Sequence, residues 1–173
     1  MEMKIPFYQV LNILLTGLVL GTGIIICFPS ELQSLFRDSK SLWSHSEFIL
    51  SMVFIAGSYE LGLVVNRLGS IVLEPILIGV RIIPFDKNYR HYNDLKKQYP
   101  ILEVLSREYA SSRTNVVLFV VLASICFVAG QCIVGVCFLL VSVLFCLSWR
   151  KYAGKIVHLM RTSKDNSNEG QIS

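Results

Sequence analysis

Residues 115–149 read NVVLFVVLASICFVAGQCIVGVCFLLVSVLFCLSW and contain no Asp, Glu, Lys, Arg or His. How this run divides decides the fold. As one helix it would extend ~50 Å, against a bilayer core of ~30 Å. As two pieces, Asn115 to Gly130 and Cys132 to Trp149, each is slightly short of the roughly 17–25 residues a span needs. Gly130-Gln131 between them supplies a polar, flexible turn. A tight hairpin of two spans over 115–149 is preferred, with the first of them starting near Arg113.

Two further runs reach bilayer length, Phe7 to Phe28 and Phe48 to Arg67. With 53% apolar residues over 173 positions, the composition suits a membrane protein. The expected fold is all-α and polytopic, with four transmembrane helices and a small helical region between the second and third. The segments are a first span (1–28), an outer interfacial loop (29–47), a second span (48–74), a helical region (75–114), the hairpin (115–149) and a tail (150–173) expected to be disordered from about 163.

Basic residues set the expected orientation. On one side lie Lys4, then Arg67, Arg81, Lys87, Arg90, Lys96, Lys97, Arg107 and Arg113, then Arg150, Lys151, Lys155, Arg161 and Lys164. Arg37 and Lys40 are left for the other. Positive charge concentrates in cytoplasmic loops, so both termini are expected inside. A three-span chain would strand the basic tail outside. The same charge accounts for the formal net +4 through topology and contact with anionic lipid, and direct nucleic-acid binding is not expected. Arg81, Lys87, Arg90, Lys96, Lys97, Arg107 and Arg113 are the candidates for contacting headgroups or a cytosolic protein.

Glu60 is the unusual residue. A carboxylate inside a span costs roughly 2.5–3.5 kcal/mol on insertion scales. Arg67 and Glu74 come after it at intervals of seven, a spacing that drifts only about 20° per step on an α-helix. Glu60, Arg67 and Glu74, with Asn66 beside them, are expected to form an intramembrane polar stripe for helix packing, subunit packing or a pore. Arg67 sits where the helix leaves the bilayer and alone reads as a snorkelling anchor. Glu60 lies about 10 Å deeper, so Arg113 on another helix, or protonation, is expected to satisfy it. Glu74-Pro75 is expected to break the helix, leaving Pro75 to Pro84 along the inner interface.

Small residues mark candidate close approaches. Gly17 and Gly21 share one face of the first span with Asn12 and Thr16, and Gly57 and Gly62 lie in the second. These faces fit packing within one chain or between copies. In the outer loop, Ser30-Glu31-Leu32-Gln33 suits a helix start, and Trp43 suits the headgroup level. Pro100 opens a helix whose Ile101, Leu102, Leu105 and Tyr109 keep helical spacing.

No catalytic constellation stands out, and no cofactor or metal site is expected. His45 falls outside while His91 and His158 fall inside, and none of the five cysteines has metal-ligand spacing. The cysteines read as small buried hydrophobes, although Cys27 and Cys132 both fall near the outer surface, where a disulfide is sterically conceivable. The soluble region is too small for an independent enzyme core.

The pattern Tyr59-x-x-Gly62-x-x-x-Asn66-Arg67-x-Gly69-Ser70-x-x-x-Glu74-Pro75, then Glu103-Val104-Leu105-Ser106-Arg107-Glu108 and Arg113-Thr114, resembles small four-span bacterial membrane proteins, some from anti-phage defence loci. The overall plan is similar to that of the membrane subunits of Kiwa defence systems. The resemblance implies an inner-membrane homo-oligomer, a tetramer among the forms it could take, working with a cytosolic effector. The expected function is a sensor or scaffold subunit. A pore-forming effector is the alternative, and a small membrane enzyme the third.

Overall fold

A computed structural model of the chain describes residues 7–29, 47–84 and 99–169. Most of the outer loop expected over 29–47, and the stretch carrying Lys87, Arg90, Lys96 and Lys97, lie outside the described residues. The elements in chain order are α1 (Phe7–Cys27), α2 (Glu47–Leu68), a π-turn (Gly69–Leu73), α3 (Glu74–Gly79), α4 (Pro100–Val128) and α5 (Cys132–Glu169). Among the described residues there is no strand. Since α2, the π-turn and α3 are continuous, the fold is four helical rods. All four are long and apolar enough to cross a membrane, which makes this a multi-pass membrane protein.

The hairpin between α4 and α5 forms at Gly130. Its φ of +76° is the left-handed conformation that a residue without Cβ adopts freely. The N–H of Gln131 donates to the Cys126 carbonyl at 2.8 Å and that of Gly130 to the Phe127 carbonyl at 3.1 Å, the two bonds of a Schellman stop. The same pair closes α3, where Ile82 donates to Leu77 and Arg81 to Ile78, each at 3.0 Å. There Arg81 holds the left-handed position, at φ +61°. That turn carries Ile83 back into the bundle, where it is buried beside Trp149, Val116 and Ala153.

Neither α4 nor α5 is limited to the uncharged run. At 29 and 38 residues they extend about 44 and 57 Å, beyond a core of about 30 Å. Their overhanging ends pack on each other through Leu102 and Met160 with Ile156 and Leu159. The helical region expected between spans two and three is thus, over residues 100–114, an extension of α4. The tail expected to be disordered from about 163 is helical to Glu169. Once nucleated by the packed turns before it, a helix propagates one hydrogen bond per residue.

Pro75 does not end the second rod. Helical backbone continues to Gly79 because the π-turn precedes the proline. The N–H of Glu74 reaches five residues back to the Gly69 carbonyl, and the wider turn accommodates a ring that would clash in a regular helix. Residues 75–79 therefore extend the second rod instead of forming a separate interfacial segment.

Lipid offers no hydrophobic drive between helices, so close approach has to hold them together. A Cβ added at Gly17 would overlap the Ser58 carbonyl, and one at Gly62 would overlap the Ile13 carbonyl. These two glycines, one on each helix, set the α1–α2 contact. Gly21 only faces the tip of Leu61 at 3.9 Å, and Gly57 faces open space. Leu20, Val65, Val117, Leu118 and Leu122 bury the junction of α1, α2 and α4. Phe119 joins α4 to α5, stacked on Phe145 at 5.5 Å. Ser142 adds a hydrogen bond of 3.2 Å to the Val116 carbonyl.

Gly62→Val is expected to destabilise the protein by about 3 kcal/mol, the upper range for overpacking, because the obstacle is backbone. Gly57→Val, which meets no atom of its own chain within 4 Å, should cost much less. Thermal unfolding in detergent followed by tryptophan fluorescence separates the two; equal melting temperatures would show that α1 and α2 approach less closely than the Gly62–Ile13 contact requires.

Candidate functional site

Polar side chains converge where the π-turn meets α4. Glu74 stands on α3 directly after the turn, and its carboxylate forms an ion pair with Arg113 of α4. Both side chains are largely buried, 13% exposed for Arg113 and 19% for Glu74. Tyr109, one turn before Arg113, donates its hydroxyl to the other carboxylate oxygen at 2.7 Å. Asn66 of α2 presents its Oδ1 to Arg113 Nη2 at 3.4 Å and to the Thr114 hydroxyl at 3.1 Å. Thr114 also reaches the Ala110 carbonyl at 3.0 Å, so its single proton is shared between two acceptors.

The surroundings explain why the pair forms here. Gly69 is buried, and a Cβ there would lie 3.3 Å from both Arg113 Cγ and Val117 Cγ2. Glycine leaves the arginine stem room to pass. On the far side, the Tyr109 ring meets Trp149 edge-on, with centroids 5.6 Å apart. Trp149 is fully buried, and neither its indole N–H nor Arg113 Nε makes a hydrogen bond of normal geometry. The low dielectric strengthens the Glu74–Arg113 attraction and raises the cost of separating it.

Beside the cluster, Tyr8, Asn12, Asn66, Arg107, Ser111 and Thr114 help line a recess of about 180 Å³ between α1, α2 and α4. The Arg107 guanidinium lies over the Tyr8 ring, 5.7 Å from its centroid.

The heptad reading of the polar stripe is corrected. Glu60, Arg67 and Glu74 do not share a face. Glu60 and Arg67 are exposed on the outside of the rod and have no hydrogen-bond or ion-pair partner among the described residues. Glu74 points inwards. The physical reason is the π-turn between Arg67 and Glu74: one extra residue in a turn rotates the helix beyond it by about 100°. Arg113, expected opposite Glu60, is taken by Glu74 instead. Of the candidates for headgroup or partner contact, Arg113 is in the cluster, Arg107 is against Tyr8 and Arg81 is exposed at the end of α3.

Tyr109, Thr114 and Trp149 were not singled out as site residues by the sequence. Tyr109 was visible only as an apolar-periodic position and Trp149 only as the end of a span. Each carboxylate oxygen of Glu74 accepts one bond, from a guanidinium or a phenol, and among the described residues of this cluster no nucleophile stands beside a free base. Among the described residues no group of three or more His, Cys, Asp or Glu could hold a metal ion. The arrangement suits holding α2, α3 and α4 together. None of the protein-family models, curated proteins or solved structures compared with the chain matches it.

Replacing Arg113 alone by Met, or Glu74 alone by Leu, is expected to cost about 3–5 kcal/mol by leaving a buried charge unpaired. The double variant should lose less than the sum, with a coupling of about 0.5–3 kcal/mol. Unfolding measured across the four proteins of this cycle checks it; strict additivity would show that the two charges do not depend on each other.

Proposed function

We propose that the chain is one subunit of a homo-oligomeric membrane scaffold or sensor, assembled through the outward face of α2. One observation carries this: the Glu60 carboxylate stands exposed on a span surface that also presents Val53, Val64 and Leu68, with Arg67 two turns further along. Nothing in its own chain satisfies it among the described residues, and hydrocarbon cannot. Gly57 lies three residues before Glu60 on the same exposed side, with open space where a side chain would be. A second helix can approach closely there and supply a partner for the carboxylate, whether a polar side chain or another Glu60 sharing a proton.

The basic end, holding Arg81, Arg107 and the long overhangs of α4 and α5, is assigned to the cytoplasm of a bacterial inner membrane, with both termini on that side. The overhangs form the platform for a cytosolic effector. On the resemblance of the Tyr59 to Thr114 pattern to membrane proteins of anti-phage defence loci, we propose that the subunit serves an antiviral defence system. A pore is the second reading, favoured by the same outward Glu60. Several copies would bring these carboxylates around a shared axis and form a cation pathway.

In mild detergent the purified protein is expected to run as a discrete oligomer by light scattering, and Gly57→Val should shift it towards smaller species. A wild-type protein that is monomeric at all concentrations would overturn the scaffold. Cation flux in liposomes that disappears with Glu60→Gln would favour the pore.

A further inference from the structure

The opposite end of the bundle holds a second built feature. Cys27, in the last turn of α1, and Cys126, near the end of α4, bring their sulphurs to 3.7 Å. Both are free thiols, Cys126 buried and Cys27 partly exposed. Cys132, the sequence-based partner for Cys27, is instead exposed at the start of α5. Two thiols this close, at an end of the bundle and with one of them accessible, are placed for covalent closure. An S–S bond needs about 2.05 Å, so the sulphurs have to approach by roughly 1.6 Å, within reach of side-chain rotation.

We propose that Cys27 and Cys126 form a reversible disulfide that locks α1 to α4 in the outer leaflet. The orientation rests on the assignment of the basic end to the cytoplasm, which puts this pair on the oxidising side. Cys27 reacts first, being the accessible thiol. Its sulphur attacks the disulfide of an oxidised thiol–disulfide exchange partner, forming a mixed disulfide and releasing one thiol. Cys126 then attacks the Cys27 sulphur of that mixed disulfide and releases the second thiol. Two S–H bonds are lost and one S–S bond is gained, and two electrons and two protons pass to the oxidant. The new bond joins positions 99 residues apart and ties together helices that, among the described residues, meet by apolar packing at this end.

The full chain in detergent is treated with oxidised glutathione, its remaining thiols are alkylated, and the digest is read by mass spectrometry. A peptide linking Cys27 to Cys126 is expected, along with a loss of two alkylated sites out of five cysteines and a melting temperature several degrees above that of the reduced protein. Cys27→Ala and Cys126→Ala should each abolish the link and the shift. Persistent free thiols at both positions, or a link from Cys27 to Cys132, would overturn the proposal. Labelling of Cys132 on intact cells by a membrane-impermeant maleimide reads the orientation separately. Failure of the orientation and failure of the thiol pair therefore give different patterns.

Discussion

The buried ion pair between Glu74 and Arg113 is the constraint around which this bundle is arranged. A charge placed among apolar helices has to find its counter-charge and satisfy its remaining hydrogen-bonding sites, or the cost of desolvation dominates. Each neighbouring feature serves that requirement. The π-turn rotates Glu74 inwards, Gly69 leaves the arginine stem a path, Tyr109 takes the second carboxylate oxygen and Asn66 meets the other end of the guanidinium. Trp149 covers the group from α5 through its edge contact with Tyr109. Elements from four parts of the sequence are thereby held at one depth of the bundle.

The same turn separates two kinds of polar residue on one continuous rod. Before it, Glu60 and Arg67 face outwards; after it, Glu74 faces the core. An uninterrupted α-helix would place all three on nearly one side and force a choice between burying them and exposing them. A single wide turn allows both, so the inner charge can stabilise the bundle while the outer carboxylate stays exposed. Gly57 belongs to this outward surface, whereas Gly17 and Gly62 belong to the inner contact of α1 with α2. Glycines that look equivalent in the sequence thus do different work, because what matters is which backbone stands opposite.

The two ends of the bundle differ in what holds them. At the basic end a polar cluster, the Tyr8–Arg107 contact and the overhanging helix pair join all the rods. Towards the other end, α1 meets α4 through apolar packing and the Cys27–Cys126 contact. A covalent bond between the two thiols would add to the apolar contacts already joining α1 and α4 at this end. Such a bond would act on the helix packed against α2, next to the surface proposed for assembly.

The four spans, the hairpin at Gly130 and the helix opened by Pro100 were legible in the sequence, because run length, charge and turn chemistry are local properties. The oddity of Glu60 was legible for the same reason. The partner of Arg113 was not. It depends on a π-turn of one extra residue, and a one-residue change of register leaves no periodic trace when both flanks are apolar. The helical course through Pro75 and the helical tail to Glu169 were missed because composition marks where a helix is disfavoured, while neighbouring turns decide whether it continues. The sequence by itself determined how many rods cross the membrane, since hydrocarbon rejects charge wherever it stands along the chain. Only the tertiary structure decided which charges meet and which face outwards, since that depends on helix rotation and on the residues brought opposite from distant parts of the chain.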